Sequence, residues 1–228
     1  MTARSSRRKS KKRVPLSREA VFRAALAYVD EHGVDALSMR SLASEMGYGA
    51  MSLYNHVANK DEILVGMVEL VAGEFELPEA PSDDWKEDVR RLARSAHRTL
   101  LRHRWAASRW SDSPPGPARL RYAEAILRTL REAGCPVETA CAGFHAITTH
   151  VIGYTLQRLD FPVATRDLAS VARDFMEDLP AEEFPWFAEH VQHHIDEPVP
   201  EDGFAYVLDL ILDGLERDRE ATAGKAAR

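Results

Sequence analysis

Four polar side chains lie close together in a short stretch that begins with a pair of glycines. The stretch covers residues 47–57, and the polar side chains are those of Ser52, Tyr54, Asn55 and His56. Hydroxyl, amide and imidazole groups all form hydrogen bonds with phosphate oxygens or with the edges of bases. These residue types therefore indicate that the stretch binds nucleic acid.

A second group of polar side chains, His190, His193 and His194, lies nearer the C-terminal end. On a helix this spacing places His190 beside both of the others, and Glu189 or Asp196 would add a carboxylate ligand for a metal ion. The chain contains no HExxH motif, nucleophile elbow or phosphate loop. We therefore predict no catalytic residue, no bound metal and no cofactor, with the histidines on the surface near a helix end. A metal-dependent hydrolase that uses this cluster is an alternative.

The elements that must position the first group are a set of short helices. The spacing of apolar residues predicts a first helix over 17–32, between a serine cap and a glycine stop. A second helix begins at Ser38 and ends before the glycines at 47 and 49, where the backbone can make a tight turn. The polar stretch then forms a short third helix, and Asn59 begins a fourth. This order is typical of a helix-turn-helix unit.

The residues around this unit resemble a known family. The segment Leu53–Leu64 reads LYNHVANKDEIL. It is similar to a short pattern of the TetR family of bacterial transcriptional regulators, namely leucine, tyrosine, any residue, histidine, an apolar or aromatic residue, any residue, asparagine and lysine. Gly33 and residues 38–43 also fall where that family has them, and the resemblance runs from about Ser17 to Val71. It implies an all-α fold, with an N-terminal helix-turn-helix DNA-binding domain and a larger C-terminal helical domain for ligand binding and dimerisation.

The resemblance also implies which side chains face DNA. They are Arg40, Ala50, Met51, Ser52, Tyr54, Asn55, His56 and Lys60. Tyr54 and His56 can donate hydrogen bonds to phosphate oxygens, and Lys60 would bind a phosphate beside a helix N-terminus. Arg40 can pair with guanine, and the two apolar residues at the start of the third helix would contact thymine methyl groups. The alternative is that Tyr54 and His56 only close the small core. Tyr54 can do both, since its ring can pack while its hydroxyl stays in water.

The composition is that of an ordinary globular protein, with 45% hydrophobic and 29% charged residues in a chain of 228. No apolar run approaches the roughly 20 residues of a membrane-spanning helix. We therefore expect a cytoplasmic protein without a membrane partner. The two cysteines, Cys135 and Cys141, match neither a disulfide framework nor a metal cluster.

The charge is unevenly distributed along the chain. The net charge of −6 divides into +7 on residues 1–13, which contain no acid, and −13 on the remainder. Residues 1–16 are predicted to be a disordered basic arm whose partner is a polyanion, most simply DNA phosphates or a minor groove. A solvated terminus without function, and a nonspecific nucleic-acid packaging protein that uses this arm, are the alternatives.

The chain changes character after the fourth helix. Residues 17–73 form the predicted DNA-binding domain, and a loop rich in proline and acid follows near 73–84. A second set of helical patterns begins at Trp85. Residues 85–218 are therefore predicted to form the effector-binding and dimerisation domain, followed by a flexible tail at 219–228.

Two helices of the second domain carry wide apolar surfaces. The helix from Pro136 to about Leu159 is apolar almost all round, and the last helix has a wide apolar stripe. We predict that both meet their copies in a homodimer, which the TetR resemblance also implies. The interface residues of the last helix are predicted to be Val207, Leu208, Ile211, Leu212 and Leu215. The alternative is that both surfaces face only the core of their own subunit.

The resemblance further implies a transcriptional regulator, most often a repressor, that a small molecule controls. Two-fold symmetry predicts a palindromic operator with half-sites about one helical turn, ~34–36 Å, apart. We predict a flat, largely apolar effector, anchored by His145 or a threonine in a mostly apolar pocket. The candidate pocket residues are His97, Leu101, Trp105, Trp110, Phe144, His145, Thr148, Thr149, Ile152 and Phe175. For each of them, packing in the core is the alternative.

Overall fold

The computed structural model describes residues 15–160, 168–197 and 203–226, and these ranges contain helices and loops but no β-strand. The α-helices of this part of the chain are α1 (Arg18–His32), α2 (Met39–Met46), α3 (Ala50–Tyr54), α4 (Lys60–Ala72), α5 (Trp85–Arg102), α6 (Pro117–Glu132), α7 (Val137–Asp160), α8 (Leu168–Asp178), α9 (Pro185–Asp196) and α10 (Gly203–Ala226). The predicted all-α fold is confirmed. The predicted basic arm falls largely on residues 1–14, which lie outside the described residues.

The contacts along the chain define two compact units, and the first contains Met1–Glu74 and His103–Leu120. Helices α1 and α4 form its centre, because each turns a row of apolar side chains toward the other. Gly66 on α4 permits their close approach, since a Cβ atom there would lie 2.4 Å from the ring of Phe22. The buried side chains of this core include Val21, Ala25, Val29, Leu37, Leu42, Leu53, Val57, Ile63, Met67 and Val71.

A segment distant in sequence completes the first unit. Glu69 on α4 accepts hydrogen bonds from the backbone amides of Gly116 at 3.1 Å and Ala118 at 2.8 Å, around the start of α6. It also accepts one from Nε of Arg119 at 2.6 Å, and the Arg119 side chain is almost fully buried. Burial alone would raise the pKa of Glu69, but these hydrogen bonds outweigh it and hold the pKa below its ordinary value. This segment therefore belongs with α1 to α4, whereas our prediction placed it in the second domain.

The beginning of the same segment is held by His103. Its Nδ1 lies 2.9 Å from a carboxylate oxygen of Asp30 on α1, and its Nε2 lies 3.2 Å from one of Glu74. The indole nitrogen of Trp105 donates a hydrogen bond to the same aspartate at 3.1 Å. Carboxylates on α1 and just after α4 thus fix this end of the segment.

The second unit contains Phe75–Arg102 and Arg121–Arg228. Its core lies among α5, α7 and α10, which contact one another along their apolar faces. The large, fully buried side chains of the second unit come from these helices and from α6, and they are Leu92, Leu100, Ile126, Leu130, Ile147, Leu208 and Leu212. Helices α8 and α9 pack against each other.

Ion pairs join α5 to α10 on the outside of this core. The pairs are Lys86 with Asp213, Lys86 with Glu216, and Arg90 with Asp209. Helix α10 continues to Ala226. The predicted flexible tail at 219–228 is therefore corrected, since its residues up to 226 are helical. In the described ranges, every helix is too short or too polar to cross a bilayer.

Candidate nucleic-acid interface

Helix α2 and the turn after it are built by local hydrogen bonds. The hydroxyl of Ser38 accepts from the Ser41 amide at 3.0 Å, and the hydroxyl of Ser41 accepts from the Ser38 amide at 2.9 Å, which closes a capping box. The helix ends at Gly47, whose φ of 75° lies in the left-handed region that favours glycine. Gly49 has an ordinary φ of −78° and serves as the N-cap of α3. The predicted helix, tight turn and short helix are therefore present.

Helix α3 presents its polar side to the surface. Leu53 and Val57 are buried and anchor the helix on the core of the first unit. Met51 is 76% exposed and Tyr54 is 47% exposed, and Asn55 is also exposed. The core that Tyr54 could have closed is filled by Leu53 and Val57, so the Tyr54 ring remains available for a partner.

The other predicted DNA-facing residues surround this exposed face. Arg40 lies exposed in the first turn of α2. Ala50, Ser52 and His56 are half-buried on α3 or directly after it. The predicted set thus lies on α2, on α3 or directly after it, and at the start of α4, all within the first unit.

The N-terminus of α4 carries both signs of charge. The Asn59 side chain accepts from the Glu62 amide at 2.9 Å, and the Glu62 carboxylate accepts from the Ala58 amide at 2.6 Å. Arg18 pairs with Glu62 at 2.6 Å, which offsets the carboxylate charge next to the helix end. The half-buried Lys60 points its ammonium to within 3.5 Å of a backbone oxygen of the loop after α1. A partly neutralised helix N-terminus with a lysine beside it suits a phosphate group.

The second unit contains an aromatic cluster, which we call the His97 cluster and which consists of His97, His150, Tyr154, Thr155 and Phe204. The ring of His97 stacks on Phe204 with 4.3 Å between centroids, and His150 stacks on it at 4.7 Å. Tyr154 meets Phe204 edge-on at 5.5 Å. Sequence reasoning found only His97 of these residues, because no local pattern connects α5, α7 and α10.

Hydrogen bonds fix the two histidines of the His97 cluster. Thr155 donates its hydroxyl to the Val151 oxygen at 2.6 Å, so it accepts from Nδ1 of His97 at 2.8 Å. Nε2 of His150 donates to the backbone oxygen of Phe204 at 2.9 Å. Burial lowers the pKa of His150, and this hydrogen bond offsets only part of that shift.

The remaining predicted effector residues do not gather around one point. Trp105 donates to Asp30, and Trp110 lies under the guanidinium of Arg119 at 5.9 Å, so both belong to the first unit. Phe175 is half-exposed on α8 and meets Phe187 of α9 at 6.0 Å. The others, on α5 or α7, are Leu101, Phe144, His145, Thr148, Thr149 and Ile152. Of these, His145 and Thr149 are exposed, and the Thr148 hydroxyl donates to the Phe144 oxygen of its own helix.

The predicted dimer residues divide between core and surface. Leu208, Leu212 and Leu215 are buried within their own subunit, which corrects their assignment to a dimer interface. Ile211 is half-buried and Val207 is exposed. The exposed apolar face of α10 is instead formed by Tyr206 at 64%, Val207 and Leu210 at 54%. The apolar stripe is wider than one face, so the sequence alone did not show which edge points outward.

The histidines of α9 lie close together near its C-terminal end. The rings of His190 and His194 are 4.6 Å apart, and those of His193 and His194 are 5.9 Å apart. Burial lowers the pKa of His194, and the neighbouring His190 and His193 lower it further. Across the described ranges, no group of three or more histidine, cysteine, aspartate or glutamate side chains is arranged to hold a metal ion.

Residues 21–67 match the model of bacterial regulatory proteins of the tetR family, and residues 77–219 match the tetracyclin repressor-like C-terminal domain. An HTH-type transcriptional regulator of Saccharopolyspora erythraea is 35% identical over 139 residues, which are 60% of this chain and 59% of that relative. The class D tetracycline repressor of Escherichia coli is 28% identical over 88% of this chain and 89% of its own length.

Solved structures of ActR from Streptomyces coelicolor are also similar to this chain. Apo ActR is 32% identical with a TM-score of 0.79, over 92% of this chain and 99% of ActR. ActR in complex with actinorhodin is 31% identical with a TM-score of 0.76, over 90% of this chain and 99% of ActR. Since one family model alone covers more than half of the sequence, the chain belongs to the TetR family of bacterial regulatory proteins and is a DNA-binding transcriptional regulator.

Proposed function

We propose that two copies of the chain bind a palindromic operator and repress transcription until a small effector releases them. The observation that carries the proposal is the exposed face of α3, held in place by a buried leucine on its other side. Met51 offers a large apolar side chain to solvent beside Tyr54 and Asn55. Exposed apolar groups among polar ones are typical of a surface that a partner covers.

The residues of this face divide by chemistry into two roles. Arg40, Ser52 and Asn55 can exchange hydrogen bonds with base edges, and Met51 can contact thymine methyl groups. The hydroxyl, imidazole and ammonium groups of Tyr54, His56 and Lys60 suit phosphate oxygens, which fix the position of a protein on DNA without reading sequence. Few polar groups therefore carry the specificity.

The homodimer is supported by the exposed faces of α7 and α10. On α7 the exposed face combines the small residues Cys141, Ala142, Ala146 and Thr149 with the larger His145, and the small side chains leave room for a facing helix. On α10, Tyr206 and Leu210 expose apolar surface that would be costly to leave in water. The proposed interface thus uses the outer edge of the α10 stripe, and the two-fold axis would place two copies of α3 about 34–36 Å apart.

The effector is proposed to be a flat aromatic molecule that binds at the His97 cluster. ActR, which is similar over nearly its whole length, has been solved in complex with actinorhodin. Stacked rings of His97, His150 and Phe204 suit a planar ligand. Neutral His150 already donates from Nε2, so its Nδ1 can accept a hydrogen bond from a ligand hydroxyl. This replaces the anchor first predicted at His145, which is exposed.

Selection of bound duplexes from a random DNA pool tests the operator proposal. We expect the enriched sequences to share a palindrome whose half-site centres are about 10 base pairs apart. Repeating the selection with Arg40→Ala should change the preferred bases, while the matched exposed variant Arg23→Ala should leave them unchanged. Enrichment of no common sequence by the parent chain would contradict the proposal.

Titration of the complex with its selected operator tests the effector site. Polycyclic phenols should lower operator affinity and raise the melting temperature of the free protein. His150→Phe keeps a stacking ring but removes the acceptor, so it should weaken this response. The control His193→Ala changes an exposed histidine of α9 and should leave the response unchanged. A response to strongly anionic metabolites alone would contradict the chemistry proposed for the effector.

A further inference from the structure

The first unit contains a groove of about 800 Å³ that lies outside the predicted DNA-facing residues. One wall is α1, and the other is the end of α2 with the turn that follows it. Its floor includes the small side chains of Ala20, Ala24 and Ala27, which leave room for long side chains of another segment. The groove begins at Ser17, the N-cap of α1.

The rim of the groove is acidic. Three carboxylates, those of Glu19, Glu31 and Glu45, line it together with one guanidinium, that of Arg23. Arg23 pairs with Glu19 at 2.8 Å. Glu31 and Glu45 are exposed and make no ion pair with another described residue. The groove therefore presents two carboxylates that a cationic segment can pair with.

Aromatic rings add a second feature that suits arginine. Tyr28 and His32 stack with their centroids 4.4 Å apart, and both line the groove. Tyr48 lines it from the turn after α2. Guanidinium groups stack on such rings, and their aliphatic stems cover small apolar side chains.

We propose that residues 1–13 of the same chain bind in this groove. They carry seven basic residues and no acid, which complements the two available carboxylates. Val14 connects them to Pro15, the first described residue, which lies two positions before the lining residue Ser17. Thirteen extended residues reach about 40 Å, whereas the 15 residues of α1 span about 22 Å, so the arm can run the length of the groove. Attachment to the same chain also gives the arm a high effective concentration there.

The groove and DNA then compete for one basic arm. Exposed ion pairs are individually weak and are screened by salt, so a dense array of phosphates would draw the arm away. The groove thereby keeps the arm from binding other polyanions when no operator is present. This consequence rests on the proposed DNA binding, but the docking itself does not.

Zero-length cross-linking of the full chain without DNA tests the docking. A carbodiimide joins a lysine to a carboxylate only when the two are in contact. We expect amide links from Lys9, Lys11 or Lys12 to Glu31 or Glu45, identified by mass spectrometry. The links should decrease when the salt concentration is raised from about 0.05 M to about 0.5 M. Links from the arm to Asp35 and Asp61, which are exposed outside the groove, should be rare.

A second measurement uses trypsin, which cleaves after the basic residues of the arm. The double variant Glu31→Gln/Glu45→Gln should lose its arm about 2- to 30-fold faster than the parent, as expected for two exposed ion pairs. The control Asp35→Asn/Asp61→Asn removes the same charge elsewhere and should match the parent. Equal cleavage of all three chains, or links to the groove no more frequent than to the control carboxylates, would overturn the proposal. The cross-linking can be repeated on a mixture of chains labelled with natural and with heavy nitrogen. If every link from the arm to the groove joined two different chains, the proposal would also be overturned, because the arm would then bind another copy.

Discussion

Replacing Glu69 by glutamine keeps the shape of the side chain but removes the charge that faces Arg119. The Arg119 side chain is 4% exposed and that of Glu69 is 18% exposed, so the guanidinium would stay buried without a counter-charge. It would keep its hydrogen bonds to the backbone oxygens of Trp110, Ser113 and Pro114. Removing one partner of a buried ion pair costs about 3–5 kcal/mol of stability. Because the carbonyl oxygens still bind the guanidinium, we expect a loss of stability near the lower end of this range, about 3 kcal/mol.

Amide hydrogen exchange measures this loss of stability at the backbone amides that bind Glu69. The amides of Gly116 and Ala118 donate directly to Glu69, so they should exchange about 100-fold faster in the variant. The matched control is Glu76→Gln. The Glu76 side chain is 82% exposed and lies 3.6 Å from Arg98, so its removal should cost less than about 0.5 kcal/mol.

The effect of Glu69 should also depend on pH in a defined direction. Its pKa is lowered in the folded protein, so its contribution is complete above the ordinary value of 4.5. The contribution is lost as the pH falls through the lower value of the folded state. The parent and Glu69→Gln should therefore differ by a constant amount near neutral pH and converge in acid. Two results would refute the claim that the ion pair of Glu69 and Arg119 holds the segment 103–120. One is equal amide exchange in the parent and the variant at pH 7, and the other is a difference in exchange that persists unchanged in acid.

Other changes separate the roles of the remaining residues. Lys60→Ala and Tyr54→Ala should weaken binding to all DNA sequences alike, and Lys60→Ala should reduce the salt dependence of binding by about one unit of slope in a filter or anisotropy titration. Gly47→Ala places a Cβ at φ 75° and should destabilise the first unit by about 1 kcal/mol in urea unfolding. Leu212→Ala, at a fully buried site, should cost about 2–5 kcal/mol of stability. Leu210→Asp should leave the fold intact but convert dimer to monomer in sedimentation experiments, and an unchanged dimer would contradict the proposed interface.

The helix-turn-helix was predictable because its signals are local. Ser38 and Asn59 are helix caps, and each binds a backbone amide only three residues along the chain. Gly47 marks the left-handed turn between α2 and α3. The short pattern around Leu53 combines one buried residue with exposed neighbours, so its register on the core can be deduced from spacing. Such interactions span at most a few residues.

The segment at 103–120 was not predictable because its bonds are long-range. Glu69 and Arg119 are separated by 50 residues, and His103 and Asp30 by 73. Nothing in the pattern around Trp105 indicates that its indole nitrogen binds an aspartate on α1. Aromatic residues at helical spacing indicate burial, but they do not identify the unit that buries them.

The dimer face shows a different limit of sequence reasoning. The stripe of α10 is apolar over more than one side, and periodicity gives its centre but not its outer edge. Leu208 and Leu212 lie at the centre and fill the core of their own subunit, whereas Tyr206 and Leu210 lie at the exposed edge. Only the packing of α10 against α5 and α7 distinguishes them.

The most direct test of the central claim is DNA cleavage from α3 itself. A Met51→Cys variant in a Cys141→Ser background would carry an iron chelate on the exposed face, since the other cysteine, Cys135, is buried. On the selected operator we predict two cleavage clusters, one in each half-site, with centres about 10 base pairs apart. The same chelate at Asp35→Cys should give weaker and less localised cleavage. Uniform cleavage along the DNA, from a position-51 variant that still binds the selected operator, would contradict recognition by this helix.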